Sequence, residues 1–180
     1  YLKEKYHKQG EAYLGLVHRL DRPVGGVMVY AKTSKAAARL SEQIRQKQFT
    51  KKYLVIVDGK MEQKQGILED YLWKNERTNT SKVVKEGTKN VKYEVLKYVP
   101  ETNLSVLKIT LETGRHHQIR VQLSHAGHSI YGDQKYGSRG KGKQIALWAY
   151  ELSFIHPITK EKLNFTDMPE TIGTWSNLKS

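Results

Sequence analysis

His18-Arg19-Leu20-Asp21-Arg22-Pro23-Val24-Gly25-Gly26 sets one carboxylate between two arginines and ends in a proline and two glycines. The apolar run Val27-Met28-Val29-Tyr30-Ala31 follows at once. That run reads as a buried strand over residues 26–32, so Asp21 lies on the loop that feeds it. Pro23 fixes one φ angle, and Gly25 and Gly26 open backbone shapes closed to other residues. A loop this stiff can hold a carboxylate in one place, as catalysis requires. Read alone, the stretch also fits a surface turn in which Asp21 simply pairs with Arg19 or Arg22.

Working outward, residues 1–13 are helical or irregular, with weak periodicity, and residues 14–17 are a short apolar run. Ser34 can cap a helix over residues 34–47, with Ala36, Ala37, Leu40 and Ile44 on one face. Tyr53-Leu54-Val55-Ile56-Val57 is a second buried strand, closed by the turn pair Asp58-Gly59. Residues 60–90 are polar and basic, with short strands and a long exposed connection over 74–90. Residues 91–98 and 104–112 alternate like antiparallel strands around a turn at 100–103. Residues 116–126 read as a helix, with Ile119 and Leu123 one turn apart and Gly127 as its stop. Residues 132–143 are a Gly/Lys/Arg loop, and 145–155 with 162–165 form a final strand pair. No repeat and no domain boundary is visible, so residues 1–180 read as a single domain. Many strands with two or three helices give an α+β class on a mixed or largely antiparallel sheet.

Charge narrows the function. The chain of 180 residues carries 31 Lys and Arg against 18 Asp and Glu, a net +13. Such a surplus favours polyanions, because each neutralised phosphate releases counterions. Cysteine is absent, which excludes disulfides, thiolate metal sites and thiol nucleophiles. No apolar run approaches the ~20 residues of a membrane span, and no signal peptide is visible.

The second informative stretch is Thr113-Gly114-Arg115-His116-His117-Gln118-Ile119-Arg120. A strand ends, a glycine turns the chain, and a helix begins with free N–H groups and the positive end of its dipole. Arg115 at the mouth can face phosphate. Arg120, one turn deeper beside Ile119, can point inward to a buried carboxylate; both can equally be surface charges. Lys51-Lys52-Tyr53 places an aromatic ring after two cations, which suits a base stacked over held phosphates, or a plain core tyrosine. A metal is not expected. His117 and His125 are eight apart, not the three or four that share a helical face, and neither cysteine nor an acidic cluster completes a set with His116 or His128. His116 and His117 fit better as phosphate donors or helix caps. The 132–143 loop lacks the Walker pattern, which argues against nucleotide hydrolysis.

Together these pieces resemble the RluA-like family of RNA pseudouridine synthases. The match runs from about residue 14 to about 166, through His18-Arg19-Leu20-Asp21, Lys52-Tyr53-Leu54, Gly114-Arg115-His116-His117-Gln118-Ile119-Arg120 and Ala126-Gly127-His128-Ser129-Ile130-Tyr131-Gly132-Asp133. The resemblance implies the pseudouridine synthase fold. It also implies Asp21 as the catalytic residue, Tyr53 as the ring stacked on the target base, and Arg120 as the partner of the catalytic carboxylate. Two departures stand out. The family's loop usually reads H-R-L-D-x-x-T-S-G, and Pro23-Val24-Gly25-Gly26 replaces its last part here, which predicts a changed loop shape with the chemistry kept. The family's catalytic domain usually begins with a further strand bearing a Lys-Pro pair. That strand is not found, so the chain reads as an N-terminally truncated catalytic domain.

The implied reaction breaks the N1–C1′ bond of a uridine, turns the base and rejoins it through C5, with no cofactor or metal. Asp21 can attack C1′, attack C6 or take a proton from C2′; the sequence leaves these open. The Tyr53 hydroxyl can assist removal of the C5 proton. Arg19, Arg22, Lys51, Lys52, Arg115, His116 and His117 are expected to hold the surrounding RNA, ribosomal or transfer. The expected setting is cytoplasmic, as a monomer, without a membrane. One rival is a catalytically silent RNA-binding protein of the same fold. Another is a carboxylate-dependent glycosidase or nuclease, which needs a second acid or a metal cluster; Asp58, Asp70 and Asp133 are candidates only by number.

Overall fold

The computed structural model describes residues 2–5, 12–137 and 139–179. In chain order it holds helix α1 (Leu2–Lys5), then three two-residue strands, β1 (Gly15–Leu16), β2 (Gly25–Gly26) and β3 (Tyr30–Ala31). Helix α2 (Ser34–Arg45) leads into β4 (Thr50–Asp58), β5 (Gln65–Asn75), β6 (Thr80–Glu86), β7 (Lys89–Val99) and β8 (Leu104–Leu111). Helix α3 (Gln118–His125), β9 (Leu147–Ile155), β10 (Lys162–Thr166) and a 3-10 helix, Gly173–Lys179, complete it.

The apolar run at residues 53–57 becomes the middle of β4, buried on both faces, and β4 sits inside an eight-stranded sheet. The strand order is β10-β9-β4-β8-β7-β5-β6, every neighbour antiparallel, with β2 added in parallel to β9. The α+β class on a largely antiparallel sheet therefore stands. Ile119 and Leu123 of α3 join Tyr53, Leu107, Ile109 and Ala149 in the main core, while α2 lays Leu40 against Phe49, Leu152 and Phe154 in a smaller one. Among the described residues no helix is long and apolar enough to cross a membrane.

Four sequence expectations change. The expected strand over 26–32 is two fragments, because β2 pairs with β9 while β3 pairs with β1 in a separate two-stranded sheet. The chain crosses from one sheet to the other at 27–29. The exposed connection over 74–90 is instead a long hairpin of β5 and β6. The α2 cap is Thr33, whose Oγ1 accepts the Ala36 N–H at 3.1 Å, rather than Ser34. Helix α3 begins at Gln118, since His117 has φ 52° and cannot continue a right-handed helix backward. The expectation for residues 1–13 meets α1, while residues 1 and 6–11 lie outside the described residues.

Candidate active site

Glycine chemistry shapes the Asp21 loop. A Cβ on Gly25 would lie 2.3 Å from the Trp148 ring, and one on Gly26 would lie 2.1 Å from the Ala149 carbonyl oxygen. Gly26 also has φ +125°, which L side chains rarely adopt. Only two bare backbones let the loop lie flat on β9. Upstream, the Val24 N–H donates to the Asp21 carbonyl at 2.9 Å, closing a turn over Arg22 and Pro23. His18 Nε2 accepts the Val29 N–H at 3.2 Å and so ties the two ends of the loop together. Burial, then the charge of Lys51, pushes the His18 pKa down to about 4. The ring is therefore neutral at pH 7, with its proton on Nδ1.

Helix α3 supplies the opposite wall. Gln118, Ile119, Arg120, Val121, Gln122 and Leu123 are all buried, so each polar side chain among them needs an internal partner. Gln118 accepts from the Thr113 hydroxyl at 2.8 Å and the Arg115 N–H at 3.2 Å, which shapes the turn holding Arg115 and His116. Gln122 donates to the Leu68 and Lys89 carbonyls and to Asp70.

Arg120 meets two carboxylates. Its Nε lies 2.8 Å from Asp133 Oδ2 and its Nη2 lies 2.7 Å from Oδ1, a two-pronged pair. The remaining arm, Nη1, reaches Asp21 Oδ2 at 3.3 Å. Asp133 Oδ1 also accepts the N–H groups of Lys135 and Tyr136. Burial works against both charges, but the pairing outweighs it: Arg120 is held above its ordinary pKa and Asp133 below. The Arg120 side chain is 5% exposed and that of Asp21 27%, so a buried cation addresses a carboxylate open to the cavity.

Tyr136 braces this arrangement. Its hydroxyl accepts the Ser81 N–H at 2.8 Å and lies 2.7 Å from His117 Nδ1. The hydroxyl thus holds the His117 ring by its Nδ1 side and leaves Nε2 toward the cavity. That nitrogen lies 3.9 Å from Asp21 Oδ2. Burial lowers the His117 pKa to about 4, even against the pull of Asp21, so the ring faces the carboxylate as a neutral imidazole.

Asp21, Tyr53 and Arg120 line one cavity of about 240 Å³, with Leu20, Ile119 and Leu147 among its apolar walls. This is a little below the range of drug-sized pockets and suits a single nucleobase. Tyr53 is a buried part of its lining, and burial together with the charge of Asp21 raises its pKa, so the phenol stays protonated. A neutral phenol can offer a ring face and a hydrogen bond, but it is no ready base for a C5 proton.

The basic residues divide. Arg19, Lys51, Arg115 and His117 line this cavity, and Arg22 lines a neighbouring one beside Arg120 and Gln134. Lys52 points away, since alternate residues of a strand face opposite sides, and its Nζ pairs with Glu151 at 2.8 Å. His116 lies outside the cavity, with Nδ1 2.9 Å from the Ser81 hydroxyl. Sequence reasoning missed Asp133 as the second partner of Arg120. The only signal was its place in the quoted Tyr131-Gly132-Asp133 motif, and nothing local says what it pairs with.

Comparison with known proteins gives the family and the fold. The family model for RNA pseudouridylate synthase matches residues 1–125. The ribosomal large subunit pseudouridine synthase C of Haemophilus influenzae is 35% identical over 163 residues, covering 85% of this chain and 51% of that protein. The tRNA pseudouridine synthase C of the same organism is 33% identical over 173 residues, covering 83% of this chain and 72% of its own. The chain spans about half the length of the first curated relatives it matches. In fold, the human RNA pseudouridylate synthase domain containing 1 superposes with a TM-score of 0.78 at 21% identity, over 97% of this chain and 74% of that one. With a matched family model over more than half its residues and the motif carboxylate facing the motif arginine, the chain belongs to the RNA pseudouridylate synthase family, in the RluA-like group.

Proposed function

We propose that this protein converts uridines in structured RNA, ribosomal or transfer, to pseudouridine, with Asp21 as the catalytic carboxylate and no cofactor. The observation that carries this reading is the Asp21 carboxylate, 3.3 Å from the buried Arg120 in a cavity that Tyr53 also lines. The target base must leave its stack to enter, which costs a few kcal/mol. Stacking on Tyr53 offsets ~1–3 kcal/mol of that. Asp21 then acts on the nucleoside at C1′, at C6 or on the C2′ proton. In each case the N1–C1′ bond breaks, the base turns, the C5–C1′ bond forms, the C5 proton leaves and N1 gains one. Arg120 holds the carboxylate toward the sugar and supports its negative form. Arg115 at the rim suits a flanking phosphate, and Arg19 and Arg22 extend that surface along the loop, while Lys51 is buried in the cavity wall.

The test is tritium release from C5-labelled uridine in unmodified ribosomal and transfer RNA, with the protein beside its Asp21→Asn variant. Release by the unsubstituted protein alone is expected. Equal release by Asp21→Asn would remove the carboxylate from the chemistry. RNA binding without release by either would favour a silent binder.

A further inference from the structure

A further cavity, of about 380 Å³, opens between the β5–β6 hairpin and the turn that enters α3. Lys74, Lys89, Arg115 and His116 line it, together with Ser81 and Tyr71. Arg115 lines the catalytic cavity as well, so the two adjoin at one residue. The groove is also braced by the catalytic framework. The Tyr136 hydroxyl that holds His117 accepts the Ser81 N–H, the Ser81 hydroxyl holds His116, and Lys135 Nζ reaches the Asn79 carbonyl at the hairpin tip at 2.9 Å.

The nearby acids leave the groove cationic. Glu76 pairs with Lys74 at 2.7 Å, but its side chain is 80% exposed, so the pair is weak and open to exchange with a phosphate. Asp70 stands opposite Lys89 in the β5–β7 register and is engaged by Gln122 at 2.8 Å. Burial, then the charge of Lys74, keeps His116 below its ordinary pKa, so it offers hydrogen bonds rather than a cation.

We propose that this groove holds the RNA sugar–phosphate strand flanking the target uridine, with Lys74, Lys89 and Arg115 on phosphates and His116 donating. The inference rests on the reading of the chain as an RNA-modifying enzyme. It adds the hairpin, which none of the motif residues occupies, as a second grip. That grip carries the strand away from the cavity on the Arg115 side.

The experiment measures binding of a fluorescein-labelled stem–loop RNA with a uridine in its loop, by anisotropy across a salt series. Lys74→Gln with Lys89→Gln removes two charges and keeps most of each stem. Lys35→Gln with Lys162→Gln removes two exposed charges on α2 and β10 and serves as control. Loss of two single-strand phosphate contacts lowers the slope of log K against log salt by about 1.4, and weakens binding roughly 10- to 30-fold near 0.1 M salt. The control pair is expected to change both far less. An unchanged slope, or equal losses in the two variants, would overturn the proposal. Thermal melts of both variants within a few degrees of the parent separate a binding loss from misfolding. Because the readout is binding, it stands apart from turnover. A protein that binds through this groove and releases no tritium would refute the proposed activity and leave the groove intact.

Discussion

Replacing Asp133 by Asn tests whether the pair beneath the active site is the keystone that the geometry makes it. Asp133 is 1% exposed and Arg120 4%, and two of the arginine's nitrogens lie within 2.8 Å of the carboxylate. Asparagine keeps the shape and can still accept the Lys135 and Tyr136 N–H groups. It removes the charge, however, and its amide nitrogen has nothing to offer an arginine N–H. Breaking a buried pair on one side costs about 3–5 kcal/mol. Asp21, at 3.3 Å from Nη1, gives the stranded guanidinium partial relief, which sets the expectation at the low end, ~3 kcal/mol. For a chain of this size that lowers the melting temperature by roughly 6–12 °C. Calorimetry of the parent, Asp133→Asn, Arg120→Met and the double variant gives the coupling directly. The double variant is expected to recover about 2 kcal/mol relative to the sum of the single losses, because no unpaired charge stays buried. A melt for Asp133→Asn within 2 °C of the parent, roughly what <1 kcal/mol produces, or strict additivity, would refute the reasoning.

Two further outcomes follow from the loop and from the histidines. Gly26→Ala forces a side chain into a φ of +125° and onto the Ala149 carbonyl, so a loss of about 3 kcal/mol or more is expected in chemical denaturation; a stability equal to the parent would mean the loop does not lie on β9 as described. His18 and His117 titrate near 4 in the folded state, against about 6.5 when unfolded, so between those values the unfolded chain binds more protons. Their contribution is complete above pH 6.5 and is lost as the pH falls toward 4. Melting temperature should therefore drop across that window, and His18→Gln, whose amide oxygen can still accept the Val29 N–H, should flatten part of the drop; a melting temperature constant from pH 7 to 5 would count against both shifts.

Turn chemistry and periodicity are local properties, so they placed Asp21 on a stiff loop, Tyr53 at the head of an apolar run and Arg120 in a helix after a glycine turn. They left open a surface pair, a core ring and a surface charge, and it was the resemblance of the ordered motifs that made these three the catalytic candidates. The hairpin of β5 and β6 was not legible. β5 alternates between half-buried and exposed residues, but β6 is mostly exposed and rich in lysine, with Ser81 its one buried residue, so a count of apolar positions does not pair the two. The break at 26–30 was hidden for another reason. Val27-Met28-Val29-Tyr30-Ala31 looks like one strand, and only the presence of two separate partners, β9 and β1, divides it.

Residue types and the order of motifs were thus enough to set the class of fold, the family and the residues that meet at the cavity. The tertiary structure alone decided how those residues are wired. Lys52 turns from RNA to Glu151, 99 positions away, because strand register sends it to the far face of β4. Asp133 becomes the main partner of Arg120 because the chain leaves α3, bridges Val57 through Ile130 and returns beneath the helix. Charges choose partners by distance in space, and local sequence does not encode that distance.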